Sequence, residues 1–278
     1  MGRWLLAVLL LLPLPPLVAA PQRVVSLNVC SDQLLLLLAD AQQIAGLSSL
    51  ARDPELSYLA DAAAGYPAVG LASEQLLTLQ PDLVLVSSYT PRALVERLGE
   101  RGVAVLTLPN VESSDGIRDN LRTLARHLQQ VPRGEALIAT LEQRLASSAP
   151  PPSSAPRALF LQPNGYTSGS GTLQDEALQR AGWHNAARDL GLEGYRPLTL
   201  EQLILLNPDQ IITSTPLERR NALALRILHH PALQRIGQQR PLHTIDYRYW
   251  ICAGPMLADA VEQLRQLRHA FDASARLP

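Results

Sequence analysis

The sequence predicts an α/β protein of two βα lobes joined by a single long interdomain helix, on three observations. Short β-branched or leucine-rich runs alternate with helix-patterned segments at a spacing that suits parallel βα units. The alternation is broken once, by a long amphipathic stretch ending in the Ser/Pro tract SSAPPPSSAP, and then restarts. Finally, SEQLLTLQPDLVLVSS (73–88) has a counterpart in TLEQLILLNPDQIIT (199–213). Aligning Glu74 with Glu201 superposes Glu, Gln, Leu and a closing Leu-x-Pro-Asp.

Residues 1–20 stand apart from this pattern. Arg3 gives a positive start, residues 4–12 are apolar, and Pro13, Pro15 and Pro16 break the run before the small residues Val18-Ala19-Ala20. That is the pattern of a cleavable signal peptide cut after Ala19 or Ala20, too short and proline-rich to span a bilayer. An exported, periplasmic protein without a lipid-anchoring cysteine is the expectation.

The first lobe, 21–112, begins with a strand at 23–27. A helix over about 33–39 follows, with Ser31 or Asp32 as its cap. Residues 44–49 read as a second strand, and 67–70 as a turn. Ser73 can cap a helix carrying Leu76, Leu77 and Leu79, which ends at Gln80-Pro81-Asp82 before the buried strand 83–86. A helix at 92–100 and a strand at 103–108 complete the lobe. The linker, 113–156, is helical over 113–130, restarts at Pro132 as a first-turn proline, and closes with the stiff Ser/Pro tract. The second lobe, 157–278, repeats the scheme. It has a strand at 158–161, a glycine-rich loop at 165–172, a helix at 174–181, a capping box from Thr199 to Gln202, strands at 210–213 and 242–245, and a terminal helix at 255–271.

Composition excludes several functions. The net charge is −1, all 24 basic residues are arginine, and there is no basic tract, which argues against nucleic acid. None of the histidines His127, His184, His229, His230, His243 and His269 lies in the first 126 residues, and His229-His230 reads as a solvated pair, so no metal site is expected. Ser168 and Ser170 lie among glycines without a nucleophile elbow, and no triad stands out, so no catalytic residue is assigned. A secreted serine hydrolase is the losing alternative. Cys30 and Cys252 form a disulfide, face a ligand as free thiols, or are inert and buried; an even count in an oxidising compartment leaves all three open.

In order and spacing, RVVSL at the first strand, SSLARDP after the second, both ExLxxLxPD repeats, GYTSGSGTL and YWICAGP resemble the periplasmic solute-binding proteins of the cobalamin, ferric-siderophore and haem ABC importers. The resemblance spans the whole mature chain. It implies a class III architecture, with ligand held between lobes bridged by one rigid helix, and a monomer that delivers its ligand to a permease dimer driven by a cytoplasmic ATPase. It implies no resident cofactor, since any metal arrives inside the ligand. It implies that Glu74 and Glu201 dock to permease arginines, one per lobe; the alternative is that each only complements its helix macrodipole. A corrinoid ranks first as ligand, because SSLARDP and GYTSGSG are most similar to the cobalamin carrier, ahead of a ferric siderophore or haem.

Loops at strand ends supply the cleft candidates: Cys30, Ser31, Arg52, Tyr89, Tyr166, Arg248, Tyr249 and Trp250. Aromatic faces suit a large conjugated ligand, although the same side chains could close the rims of two small cores. Arg52 and Arg248 could bind ligand carboxylates or amides, or else pair with Asp53 and Asp246 beside them. The 165–171 loop could hold an anion or be only a cap.

Overall fold

The computed structural model describes residues 19–70, 73–146, 151–214, 231 and 242–274. Residues 1–18 of the signal-like segment and His229-His230 lie outside them. The first lobe runs β1 (Val24–Ser26), α1 (Val29–Leu38), β2 (Ile44–Ser48), α2 (Ala60–Ala63), β3 (Ala68–Val69), α3 (Ser73–Thr78), β4 (Leu83–Val86), α4 (Arg92–Glu100) and β5 (Ala104–Thr107). Its strands form one parallel sheet in the order β3-β2-β1-β4-β5. Helices α5 (Ser114–His127) and α6 (Val131–Leu145) follow, and Pro132 lies in the first turn of α6, where its missing N–H costs nothing. Fifteen residues make α6 a strut of about 22 Å.

The second lobe runs β6 (Arg157–Phe160), β7 (Tyr166–Ser168), α7 (Leu173–Arg180), β8 (His184–Asn185), β9 (Tyr195–Pro197), α8 (Leu200–Leu206), β10 (Gln210–Thr213), β11 (His243–Thr244) and α9 (Leu257–Ser274). Its parallel sheet is ordered β11-β10-β6-β8, and β7 pairs antiparallel with β9 beside it. The central strands of both sheets, β1 and β4 in the first lobe and β6 and β10 in the second, are buried along nearly their whole length, as central strands of a parallel sheet require. In β4, Leu83 and Leu85 face the central core while Val84 and Val86 join an outer cluster with Leu76 and Leu98.

The repeated Leu-x-Pro-Asp has the same structural use in both lobes. Each helix ends on a left-handed residue, Gln80 (φ 45°) and Asn207 (φ 43°), which turns the chain into Pro-Asp. Asp82 then accepts from the amides of Gln22 (2.6 Å) and Arg23 (3.0 Å), at the start of β1. Asp209 accepts from the amide of Arg157 (2.8 Å), at the start of β6. Each aspartate thus pins the head of its lobe's first strand.

Two local expectations are corrected. The cap of α1 is Asn28, whose Oδ1 accepts from the Ser31 amide at 3.0 Å, so the helix starts at Val29, ahead of Ser31 and Asp32. Asp32 is unavailable as a cap because its carboxylate accepts from the Ser48 amide (3.0 Å) and hydroxyl (2.5 Å) on β2. The 165–172 loop is partly β7, and Gly169 is needed there because a Cβ would lie 2.2 Å from the Leu192 carbonyl oxygen. Ser168 within it is fully buried and the Ser170 hydroxyl donates to Leu192 (3.3 Å), which leaves neither serine presented as a nucleophile.

The lobes share one core. Buried side chains run without a break from Leu35 and Leu38 through Leu121, Leu124 and Leu141 to Phe160, Trp183 and Leu264. Polar ties reinforce this seam. Glu176 of α7 accepts from the Ser114 amide (2.8 Å) and hydroxyl (2.6 Å) at the head of α5, and is itself held by Arg180. Asp259 of α9 takes the Tyr58 hydroxyl (3.0 Å) from the first lobe and Arg144 (2.8 Å) from α6.

Candidate functional site: the cleft between the lobes

The loops at the carboxyl ends of both parallel sheets face one another, the place where open α/β sheets put ligands. Two adjoining cavities of about 560 and 360 Å³ lie between them and share Glu112, Trp250 and Ile251 as walls. The first lobe contributes the β1–α1 turn with Asn28 to Ser31, Glu55 and Leu56, Ser87 and Tyr89 after β4, and Pro109 to Glu112 after β5. The second contributes Gln162 and Pro163, Gln174, Tyr195, Ser214, and Tyr247 with Trp250 and Ile251.

Cys30 and Cys252 form a disulfide with a Cα–Cα distance of 5.0 Å. It joins the first turn of α1 to the turn before α9, so the two lobes are covalently linked at the cleft wall. It also holds the Trp250–Ile251 segment against α1. Trp250 is buried against Phe160, edge to face at 5.4 Å, leaving the remainder of its ring as lining.

Of the residues expected from the sequence, Cys30, Ser31, Tyr89 and Trp250 line the cleft, Tyr89 with 82% of its surface exposed. The others stand elsewhere. Arg248 forks onto Asp246 (Nε–Oδ1 3.1 Å, Nη2–Oδ2 2.5 Å), and Arg52 donates to the Tyr66 carbonyl. Burial alone would raise the Asp246 carboxyl, but Arg248 outweighs it and holds it below the usual range. Tyr249 packs against Tyr58 at 5.6 Å and accepts from Gln263, and Tyr166 sits on β7 opposite Pro197. Glu74 and Glu201 are exposed, each in the first turn of its helix, α3 and α8.

Sequence reasoning missed Tyr195, Glu112 and Gln174. The Tyr195 hydroxyl lies 2.8 Å from Glu112 Oε2 and 3.0 Å from Gln174 Oε1, so its single proton is shared across the mouth of the cleft between the lobes. Burial, and then Glu112, push the phenol well above its ordinary range, so it is a neutral donor. No local pattern marks these three residues. The available signal was a tyrosine between glycine-rich turns in a chain poor in aromatics.

The Periplasmic binding protein family model matches residues 24–237. The chain belongs to the periplasmic binding protein family. Among the relatives of this periplasmic binding protein, a Cobalamin-binding protein of Halobacterium salinarum is 30% identical over 210 residues, 73% of this chain. The match spans only 57% of that relative's own length. Among solved structures, the apo periplasmic heme-binding protein RhuT from Roseiflexus sp. RS-1 is 27% identical with a TM-score of 0.69, covering 92% of this chain and 99% of that one. The vitamin B12 binding protein BtuF of Vibrio cholerae shares the fold at 18% identity and a TM-score of 0.63, over 91% and 98% of the two chains. The two-lobed class III architecture expected from the sequence is the one found.

Proposed function

We propose that this periplasmic binding protein captures a corrinoid between its lobes and delivers it to an ABC importer. The observation that carries the reading is the cleft itself: an aromatic wall at Trp250, flanked by Tyr89, Tyr195 and Tyr247 and rimmed by amides and hydroxyls. Such a lining suits a flat conjugated ring with a hydrogen-bonding edge. The identity with a cobalamin-binding relative supports the same choice. Residues 1–20 act as a signal peptide that exports the chain to the periplasm. Glu74 and Glu201 dock the monomer to the two copies of a permease, whose transport a cytoplasmic ATPase drives. Both glutamates are exposed and lie in the first turns of α3 and α8.

Calorimetric titration of the oxidised protein with cyanocobalamin, with tryptophan fluorescence read in parallel, tests the reading. Saturation at one ligand per chain with quenching is the expected outcome. A flat titration sinks it. The likeness to heme-binding structures at 26% and 27% identity favours haem as the second reading, and ferric siderophores stand behind it. For docking, Glu74→Ala with Glu201→Ala should abolish uptake by cells while leaving the calorimetric affinity unaltered. Lost affinity would place the glutamates in the cleft.

A further inference from the structure

We infer that Glu112, Tyr195 and Gln174 form a clasp between the lobes that a ligand must displace, so that the Tyr195 hydroxyl opposes binding rather than assisting it. The inference rests on the corrinoid reading for its ligand probe, but its ground is the placement of these three side chains. All three line the larger cavity, and Glu112 is also a wall of the smaller one, together with Trp250 and Ile251. The Tyr195 hydroxyl, 2.8 Å from Glu112 Oε2, therefore holds that carboxylate at the boundary between the two cavities. A macrocycle with peripheral side chains needs both cavities as one space, and joining them requires the carboxylate to swing aside.

The two sides of the clasp are held with different firmness. Glu112 and Gln174 stand beside the seam where α5 meets α7. Ser113 caps α5, its hydroxyl accepting from the Gly116 amide at 3.2 Å, and Glu176, on the same helix as Gln174, accepts from the Ser114 amide and hydroxyl. Gln174 itself is buried. Tyr195 is carried instead by β9, every residue of which is exposed, in a two-stranded ribbon with β7 apart from the four-stranded sheet. Gly191 and Gly194, at φ 65° and 63°, turn the chain into it. A two-stranded ribbon is marginal by itself, so the arm bearing Tyr195 is the side that yields. Burial, and then Glu112, raise the pKa of the phenol, which keeps its proton and remains the donor of the clasp. A phenol-to-carboxylate hydrogen bond is charge-assisted, and its loss moves the balance toward the open form by about tenfold.

Calorimetric and stopped-flow binding of cyanocobalamin to Tyr195→Phe tests the clasp, because phenylalanine keeps the aromatic face and deletes only the donor. A contact that competes with the ligand lowers the apparent affinity by the fraction of molecules that are open. Tyr195→Phe should therefore bind about tenfold tighter, through faster association. Glu112→Gln, which keeps a neutral acceptor, should bind about threefold tighter, and thermal melting confirms that both variants are folded. Unchanged affinity in Tyr195→Phe overturns the clasp and leaves corrinoid capture standing. Weaker binding overturns it as well, and makes the hydroxyl a ligand contact. If cyanocobalamin binds none of these proteins, corrinoid capture falls, and acrylamide quenching of tryptophan decides the clasp without a ligand. From residue 21 onward the chain has two tryptophans, Trp183, fully buried in the core, and Trp250 on the shared wall of the two cavities. An open clasp admits the quencher to Trp250, so Tyr195→Phe should raise the quenching constant about twofold or more. A constant equal to that of the wild-type protein overturns the clasp.

Discussion

The two lobes carry the same helix–turn–strand repeat and put identical residues to different uses. Gln75 and Gln202 are aligned. In the second lobe Gln202 closes a capping box, its Oε1 accepting from the Thr199 amide (3.0 Å) while the Thr199 hydroxyl accepts from the Gln202 backbone amide (3.2 Å). In the first lobe Gln75 instead reaches back to the Ala68 carbonyl at the start of β3 (3.2 Å). The aspartates Asp82 and Asp209 keep one role in both. A second contrast concerns buried carboxylates near helix N-termini. Asp175 on α7 receives a guanidinium fork from Arg188 (2.7 and 2.6 Å) and the Asn185 amide (3.0 Å). Asp32 on α1 has the amide and hydroxyl of Ser48, with Ser26 nearby, and no cation; burial raises its pKa to about 6. A duplicated sequence therefore transmits backbone pinning faithfully, while each lobe settles its buried charges by what its neighbours offer.

The strongest way to break the comparison is to ask whether the lobes are independent units at all. The disulfide closes a loop of 222 residues, and loop-closure entropy assigns it a stabilisation of up to about 5 kcal/mol. Cys30→Ser with Cys252→Ser should lower the urea midpoint accordingly. Because the lobes share a core, the transition should remain single. Two resolved transitions would show that the disulfide, rather than the core, makes them one unit.

Asp32 comes next. Its carboxyl has a raised folded pKa, so its contribution is fully present below pH 3.8 and is lost as pH rises through about 6, a change of about 3 kcal/mol. Asp32→Asn, which can still accept from the Ser48 amide, should be more stable than wild type at pH 7 and should flatten this part of the profile. Denaturation at pH 4.5 and pH 7 checks it, and an unchanged difference between the two proteins refutes the buried neutral acid. Glu176 has the opposite sign. Burial raises its pKa, but Ser114 and Arg180 outweigh it, so its contribution is present above 4.5 and is lost in acid.

The paired aspartates sharpen the comparison further. Asp209→Ala should cost about 2 kcal/mol and Asp82→Ala about 1 kcal/mol, since Asp82 is the more exposed of the two. Equal losses would mean that exposure does not discount the staple. The smallest expected effect is on the aligned glutamines. Gln202→Ala removes a capping box and should cost about 1 kcal/mol, while Gln75→Ala should cost about half as much. Thermal melts of both variants read this order, and a reversed order would place the stronger tie in the first lobe.

Much of the candidate site was legible in part. Loops at strand ends marked Ser31, Tyr89 and Trp250 because parallel sheets place their carboxyl ends at the cleft. Arg52 and Arg248 were visible as charges, but a charge does not announce its partner, and both are occupied by groups of their own lobe. Tyr195 and Glu112 lie 83 residues apart and meet only because β9 and the loop after β5 face each other across the cleft.

By itself the sequence determined the periodic elements, the point where the pattern restarts, the proline that opens α6 and the pinning repeat, because these depend on residues a few positions apart. The tertiary structure alone decided the pairing of Cys30 with Cys252, the recruitment of Asp32 by Ser48 away from helix capping, the β7–β9 pair and the contact of Tyr195 with Glu112 across the cleft. Each of these is a contact between segments distant in the chain, and its energy depends on burial that no local pattern encodes.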